Sequence, residues 1–180
     1  MCIRDRITDH GVLKIVCSAE NMFFQMRKNI YSEEDYAKGF VTDISKVRRN
    51  ETSPLVYHKT LNYGDCILEK RAAMAAGINE KVFVNTKGQI SEGTVSNIFF
   101  VRKNMIYTPQ LSCGLLPGIL REYIMERFQV TETIIYPDEL MYYEECFVTN
   151  SLMGVMPVRQ LGNICFPHRA QAVSYTHLTL

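Results

Sequence analysis

The chain has 180 residues, 20 Lys+Arg against 19 Asp+Glu for a net charge of +1, and 47% hydrophobic residues. That is the composition of a globular chain holding one domain, or one plus a remnant, with enough apolar side chains to bury a core. It excludes an electrostatic nucleic-acid binder, which needs a basic face, and a helical membrane protein, because no run reaches the roughly 18–20 apolar residues of a span. The cysteines Cys2, Cys17, Cys66, Cys113, Cys146 and Cys165 form no C-x-x-C pair and no Cys/His cluster. That spacing points away from a metal site or disulfide framework and toward free thiols in a reducing, cytoplasmic setting.

The two ends read as foreign to the rest. Met1-Cys2-Ile3-Arg4-Asp5-Arg6 back-translates as ATG TGT ATA AGA GAC AGN, and the reverse complement of that string encodes Ala, Ser, Pro or Thr followed by Val-Ser-Tyr-Thr-His. Ala172-Val173-Ser174-Tyr175-Thr176-His177 stands at the other end in register. Two protein termini have no reason to encode complementary DNA, whereas a library adaptor joined to both ends does so automatically. Residues 1–6 and 172–180 are therefore expected to be adaptor-derived and are kept out of the functional reading.

Residues 12–17, 22–26 and 40–47 are apolar or alternating runs rich in strand formers and read as sheet. Residues 48–54, Arg-Arg-Asn-Glu-Thr-Ser-Pro, break that pattern as a crossing loop and form the best candidate boundary. Beyond it, Leu61, Gly64, Leu68, Ala72 and Ala75 fall at spacings of three and four and end at Gly77, which predicts a helix with a glycine stop. Residues 82–84 and 89–90 flank a turn, and residues 97–101 and 105–108 make a second hairpin. Pro117 stands at a predicted first helical position, with Leu116, Leu120, Ile124 and Phe128 on one face. A short helical piece at 137–141 precedes a buried strand at 146–149. No internal repeat is found, and the whole reads as a mixed α+β chain.

Lys59 alone would be a solvated cation. Its neighbourhood, Tyr57-His58-Lys59-Thr60-Leu61-Asn62-Tyr63-Gly64, is followed by Ser91-Glu92-Gly93-Thr94-Val95-Ser96-Asn97-Ile98-Phe99. Then come Tyr107-Thr108-Pro109, Gly114-Leu115-Leu116-Pro117-Gly118-Ile119-Leu120-Arg121, Phe147-Val148-Thr149-Asn150-Ser151 and Val155-Met156-Pro157-Val158. In that order, over roughly residues 59–158, these blocks resemble the class IV aminotransferase family. The resemblance implies a truncated D-amino acid aminotransferase-like fold using pyridoxal 5′-phosphate. It also implies a domain plan: 7–50 as the remnant of a small N-terminal α/β domain, and 51–171 as a truncated C-terminal cofactor-binding domain.

By the same resemblance, Lys59 is the catalytic residue and forms a Schiff base with the cofactor. It needs a lowered pKa, which burial beside a cationic ring would supply. Glu92 would hold the pyridine nitrogen protonated so that the ring can take up a carbanion's electrons. Gly118, Ile119 and Leu120, at a helix N-terminus, would offer backbone N–H groups to the phosphate, with Asn150 and Ser151 as its second contact. Asn97 would support the ring or Glu92, a hairpin hydrogen bond being an equal alternative, and Ser96 stands beside it among the cofactor contacts. Tyr63, His58 and Arg49 carry no assigned role, and no metal is expected.

Residues 59–63 and 150–158 look most similar to 4-amino-4-deoxychorismate lyase, which would give 4-aminobenzoate and pyruvate for folate synthesis. A branched-chain or D-amino acid aminotransferase is the alternative, since Lys59 and Glu92 would serve both reactions. The partners implied are a small amino substrate and, in a full-length parent, a second copy as a homodimer. A different class of outcome is an inactive fragment, because exposed apolar interface and the loss of one or two kcal/mol decide marginal stability.

Overall fold

The computed structural model describes residues 11–167, so the adaptor-like stretches 1–6 and 172–180 lie outside the described residues. The chain divides into two compact units, residues 1–33 and 34–180. In the first, β1 (Gly11–Cys17) and β2 (Met22–Lys28) pair antiparallel, from Gly11 opposite Lys28 to Cys17 opposite Met22. Ser18 closes their turn, its N–H donating to Asn21 O and its Oγ accepting from Asn21 N–H.

From α1 (Glu33–Lys38) onward, the elements are β3 (Phe40–Arg49), α2 (Gly64–Ala75), β4 (Glu80–Asn85), β5 (Ile90–Gly93), β6 (Asn97–Arg102) and β7 (Met105–Pro109). They continue with α3 (Ile119–Arg127), β8 (Val130–Thr133), β9 (Glu145–Asn150), β10 (Gly154–Leu161) and β11 (Ile164–Cys165). Among the described residues the strands form one nine-stranded sheet, ordered β5-β4-β3-β10-β9-β6-β7-β8 with β11 on β10. β3 runs parallel to β4 and β10, and β7 parallel to β8; the remaining pairs are antiparallel.

β6 lies deep in this order and is buried on both faces, which is why it reads as an unbroken apolar run, Ile98-Phe99-Phe100-Val101. Alternation sends Phe99 and Val101 one way and Ile98 and Phe100 the other. Phe99 stacks on Phe147 at 4.9 Å between ring centroids, and Leu120 and Ile124 of α3 close over that pair with Val101, Ile106 and Val155. Phe100 meets Tyr143 and Phe166 on the opposite side.

Several expectations need correction. β3 continues through Arg48 and Arg49, because they pair with Val84 and Asn85 of β4, so the crossing loop starts at Asn50. α2 begins at Gly64 rather than Leu61 and buries Cys66 and Ala73, not the predicted stripe: Leu61 and Leu68 are 64% and 65% exposed. The stop at Gly77, with φ +69, is where the sequence put it. Pro117 lies one residue outside α3, whose N-cap is Gly118. α1, β8, β10 and β11 carry too little periodicity of their own and are fixed by pairing; the hydroxyl of Tyr36 in α1, for example, donates to Met153 O at 2.6 Å.

Candidate active site

Glu92 sits in β5 and is only 5% exposed. Its Oε1 accepts from Arg49 Nη2 at 2.5 Å and its Oε2 from the N–H of Leu116 at 3.0 Å. Burial pushes this carboxyl up to about 7, while the Arg49 charge, the two donors and the charge of Lys59 pull the other way. Glu92 is thus poised near neutrality and feels Lys59 through space.

Arg49 was not singled out by the sequence, and it is the strongest partner of Glu92. It ends β3, lies over the Phe83 ring at 5.2 Å, and also pairs with Asp65 at 3.2 Å. Strict alternation from the buried Phe40 and Thr42 would have turned Arg48 inward; the register shift between Ile44 and Arg48 brings Arg49 in instead, where an arginine must find an anion. Cys66 touches the same guanidinium at 3.5 Å, and burial pushes its thiol up to about 11, which keeps it neutral.

Lys59 follows the 3₁₀ turn Pro54–Tyr57 and is exposed. The burial expected of it is not supplied by the described residues around it. His58 is exposed as well, and Tyr63 is the half-buried N-cap of α2.

Asn97 and Gly118 meet. Asn97 Nδ2 donates to Leu116 O at 2.8 Å, and a Cβ on Gly118 would fall 2.2 Å from Asn97 Oδ1. Asn97 therefore braces the turn into α3, whose Leu116 N–H in turn holds Glu92. No side chain caps Gly118, so the first-turn N–H groups of Ile119 and Leu120 have no intrahelical acceptor. Ile119 is exposed and Leu120 buried, which opens the helix start to a ligand while anchoring it in the core.

On the other side of β6, Asn97 stands opposite Thr149 of β9, one residue before Asn150. Asn150 Oδ1 accepts from the N–H groups of Leu152 and Met153 at 2.9 and 2.8 Å, and its Nδ2 donates to Val95 O at 3.2 Å. The Asn150 side chain is spent on shaping the turn, and Ser151 is left exposed at its tip. Ser96 is placed apart from this group. Its Oγ is buried without a hydrogen bond among the described residues, and a Cβ on Gly93 would fall 2.3 Å from it and 2.5 Å from Glu80 Oε1. Ser96 thus packs toward Glu80, which accepts from Thr94 Oγ1 and Val95 N–H.

A buried acid, an exposed amine and an uncapped helix start with no Cβ in the way suit a ligand that has a protonatable ring and an anionic end. No group of three His, Cys, Asp or Glu among the described residues could hold a metal ion, and no helix among them is long and apolar enough to cross a membrane.

A family model described as amino-transferase class IV matches residues 8–161. Over 140 residues the chain is 31% identical to a protein of Thermotoga maritima named as a candidate branched-chain-amino-acid aminotransferase, covering 73% of this chain and 50% of that one. Over 126 residues it is 28% identical to the aminodeoxychorismate lyase of Bacillus subtilis, covering 67% of this chain and 43% of the relative. The solved branched-chain amino acid aminotransferase of Thermobaculum terrenum, in its pyridoxal-phosphate form, aligns with a TM-score of 0.73 at 26% identity, over 86% of this chain and 55% of that one. The chain spans about half the length of the curated relatives it matches, and the mixed α+β architecture expected from its sequence is the one these relatives share. The chain belongs to the class IV aminotransferase family, whose enzymes work with pyridoxal 5′-phosphate.

Proposed function

We propose that residues 51–171 carry the cofactor machinery of a pyridoxal-phosphate enzyme and that its reaction is the cleavage of 4-amino-4-deoxychorismate to 4-aminobenzoate and pyruvate. The observation that carries the cofactor reading is the Glu92 site: a carboxyl poised near 7, held by Arg49 and Leu116, and feeling the charge of Lys59. When bound, the cofactor supplies an aldehyde that condenses with an amine and a ring that takes up an electron pair.

The chain's residues divide the remaining work. Lys59 Nζ would hold the cofactor, and its amine would take the proton from the ring carbon next to the substrate amine and return a proton as pyruvate leaves. Its place at the end of an exposed loop gives the free amine room to move. Glu92 would accept from the ring N–H, with Arg49 holding that carboxyl in place and favouring its charged form. The N–H groups of Ile119 and Leu120, with Ser151 across β6, would take the phosphate. Asn97 holds the α3 turn that positions both Glu92 and the helix start. The reaction balances without a further reactant: the C–O bond to the enolpyruvyl group breaks, one ring proton is lost, one proton is gained by the departing enol, and aromatisation drives it.

The preference for the lyase rests on residues 59–63 and 150–158. The 31% identity to the Thermotoga maritima protein favours branched-chain amino transfer as the second reading. The chain is expressed with pyridoxal phosphate, and its visible spectrum is recorded before and after borohydride, with Lys59→Ala as control. The expected result is a band that borohydride fixes at Lys59 and that the variant lacks. Pyruvate released from 4-amino-4-deoxychorismate then supports the lyase, and amino transfer from leucine to 2-oxoglutarate replaces it with the second reading. A fixed band with neither product identifies a cofactor-holding but inactive piece.

A further inference from the structure

The loop that delivers Lys59 runs from Asn50 to His58. Its turns are made locally: Asn50 Oδ1 accepts from the N–H and Oγ1 of Thr52 at 3.1 and 2.7 Å, and Ser53 caps the 3₁₀ turn. The Tyr57 hydroxyl donates to Glu51 O at 2.8 Å and ties the far end of the loop back to its start, two residues before Lys59. Glu51 is the one buried residue between Asn50 and Lys59. A buried carboxylate in a surface loop is costly unless its oxygens are matched by donors, and here they are.

Glu51 Oε1 and Oε2 each accept from Thr86 Oγ1 at 2.9 Å, Oε2 also accepts from Thr86 N–H at 3.2 Å, and Lys87 Nζ stands 3.7 Å from Oε1. Thr86 and Lys87 form the turn between β4 and β5, the hairpin that carries Glu92. The backbone of Glu51 makes a second close approach. Gly114, at φ +85, lies so near that a Cβ there would fall 2.7 Å from Glu51 Cα. Gly114 O accepts from Ser91 Oγ at 2.8 Å, beside Glu92, and two residues on Leu116 N–H donates to Glu92 itself. Glu51 thus stands where the lysine loop touches both supports of the carboxyl, the β4–β5 turn and the segment leading into α3.

Resting on the cofactor reading above, we propose that Glu51 is a positioning residue that pins the Lys59 loop in register with Glu92 and the start of α3. It touches none of the reacting atoms. Its carboxylate, satisfied by Thr86 and Lys87, sets one end of the loop, and Tyr57 passes that position on to within two residues of Lys59. An apolar side chain could plug the same space but could not fix the loop's register, because only directed donors and acceptors select one position along the chain.

The test uses the full chain and three substitutions, Glu51→Ala, Glu51→Gln and Thr86→Val, with two readouts. The first, amide hydrogen exchange, needs no cofactor. Glu51→Ala is expected to speed exchange at residues 52–60 at least about tenfold while β6 and β9 keep their protection, with Glu51→Gln intermediate. The second is the rate at which pyridoxal phosphate plus borohydride marks Lys59, expected to fall about tenfold in Glu51→Ala and to recover in part in Glu51→Gln. Unchanged loop exchange, or marking at the wild-type rate in a loosened loop, overturns the proposal. If Glu51→Ala does not fold, Thr86→Val keeps the carboxylate and removes one donor, and the same two outcomes decide. A wild-type chain that is never marked at Lys59 refutes the cofactor reading instead, and the exchange arm still decides whether Glu51 pins the loop.

Discussion

The two long helices of the second unit, α2 and α3, open at the candidate site and differ in what their neighbours make of them. α3 is entered through its N-cap Gly118, where the missing Cβ lets Asn97 approach, and of its predicted stripe Leu120 and Ile124 are buried against β6, β7, β9 and β10, with Phe128 packed against them. α2 starts at Gly64, where a Cβ would meet nothing within 4 Å, and its predicted stripe is exposed while Cys66 and Ala73 are covered. The functional groups follow the same division. Glu92, Asn97 and the α3 start share a hydrogen-bonded frame, and Lys59 stands exposed on a loop ahead of α2. Under the proposed function, a hydrogen-bonded carboxyl on one side and an exposed amine on the other suit a chemistry in which one side holds the ligand and the other moves protons.

The comparison breaks most visibly in the core. Leu120→Ala should cost about 2–5 kcal/mol by leaving a cavity beside Phe99 and Phe147, read from urea denaturation. A loss under about 1 kcal/mol would mean that α3 is not anchored as described.

Glu92→Gln tests the buried side electrostatically. The carboxyl is near 7 in the folded chain against 4.5 as its ordinary value, so below pH about 4.5 both states are protonated and the folded state keeps its full advantage. As pH rises toward 7 the unfolded chain ionises first, and stability on the order of 3 kcal/mol is lost. The Gln variant should lack that decline when unfolding midpoints are compared from pH 4.5 to 7.5. Equal slopes in the two proteins would remove Glu92 as the titrating group.

Gly118→Ala should cost roughly 1–3 kcal/mol by forcing Asn97 away, and should weaken pyridoxal-phosphate capture at Lys59 more than its stability loss explains. Gly64→Ala, at the first residue of α2, should go the other way, by up to about 1 kcal/mol in favour of the fold. The two melting curves moving in the same direction would erase the distinction between the helix starts. Smallest of all, Leu68→Ala on the open face of α2 should stay within about 0.5 kcal/mol of wild type.

Much of this was legible beforehand. β6 announced itself as an apolar run, its hairpin partner as a second strand-forming run at 105–108, and the end of α2 by Gly77. Glu92, Gly118 and Lys59 stood out as candidates because their neighbours form ordered blocks. Arg49 was missed because two adjacent arginines look alike, and the register shift of β3 between Ile44 and Arg48, which no local pattern announces, decides which of them turns inward. Leu68 misled because periodicity shows where a stripe lies and not whether anything covers it. Asn97 was left between two roles, and the choice fell to Leu116 and Gly118, residues 19 and 21 positions away in the chain.

The sequence by itself determined the family, the mixed α+β class, most strands and the candidate residues for the chemistry, since those depend on residue type and short-range spacing. Only the tertiary structure decided that Arg49 pairs with Glu92, that Glu51 is buried beside Thr86 and Gly114, and which face of α2 is covered. Such choices are made by desolvation and long-range pairing, where a side chain's environment comes from strands and turns dozens of residues away, and no local pattern encodes which of them will arrive.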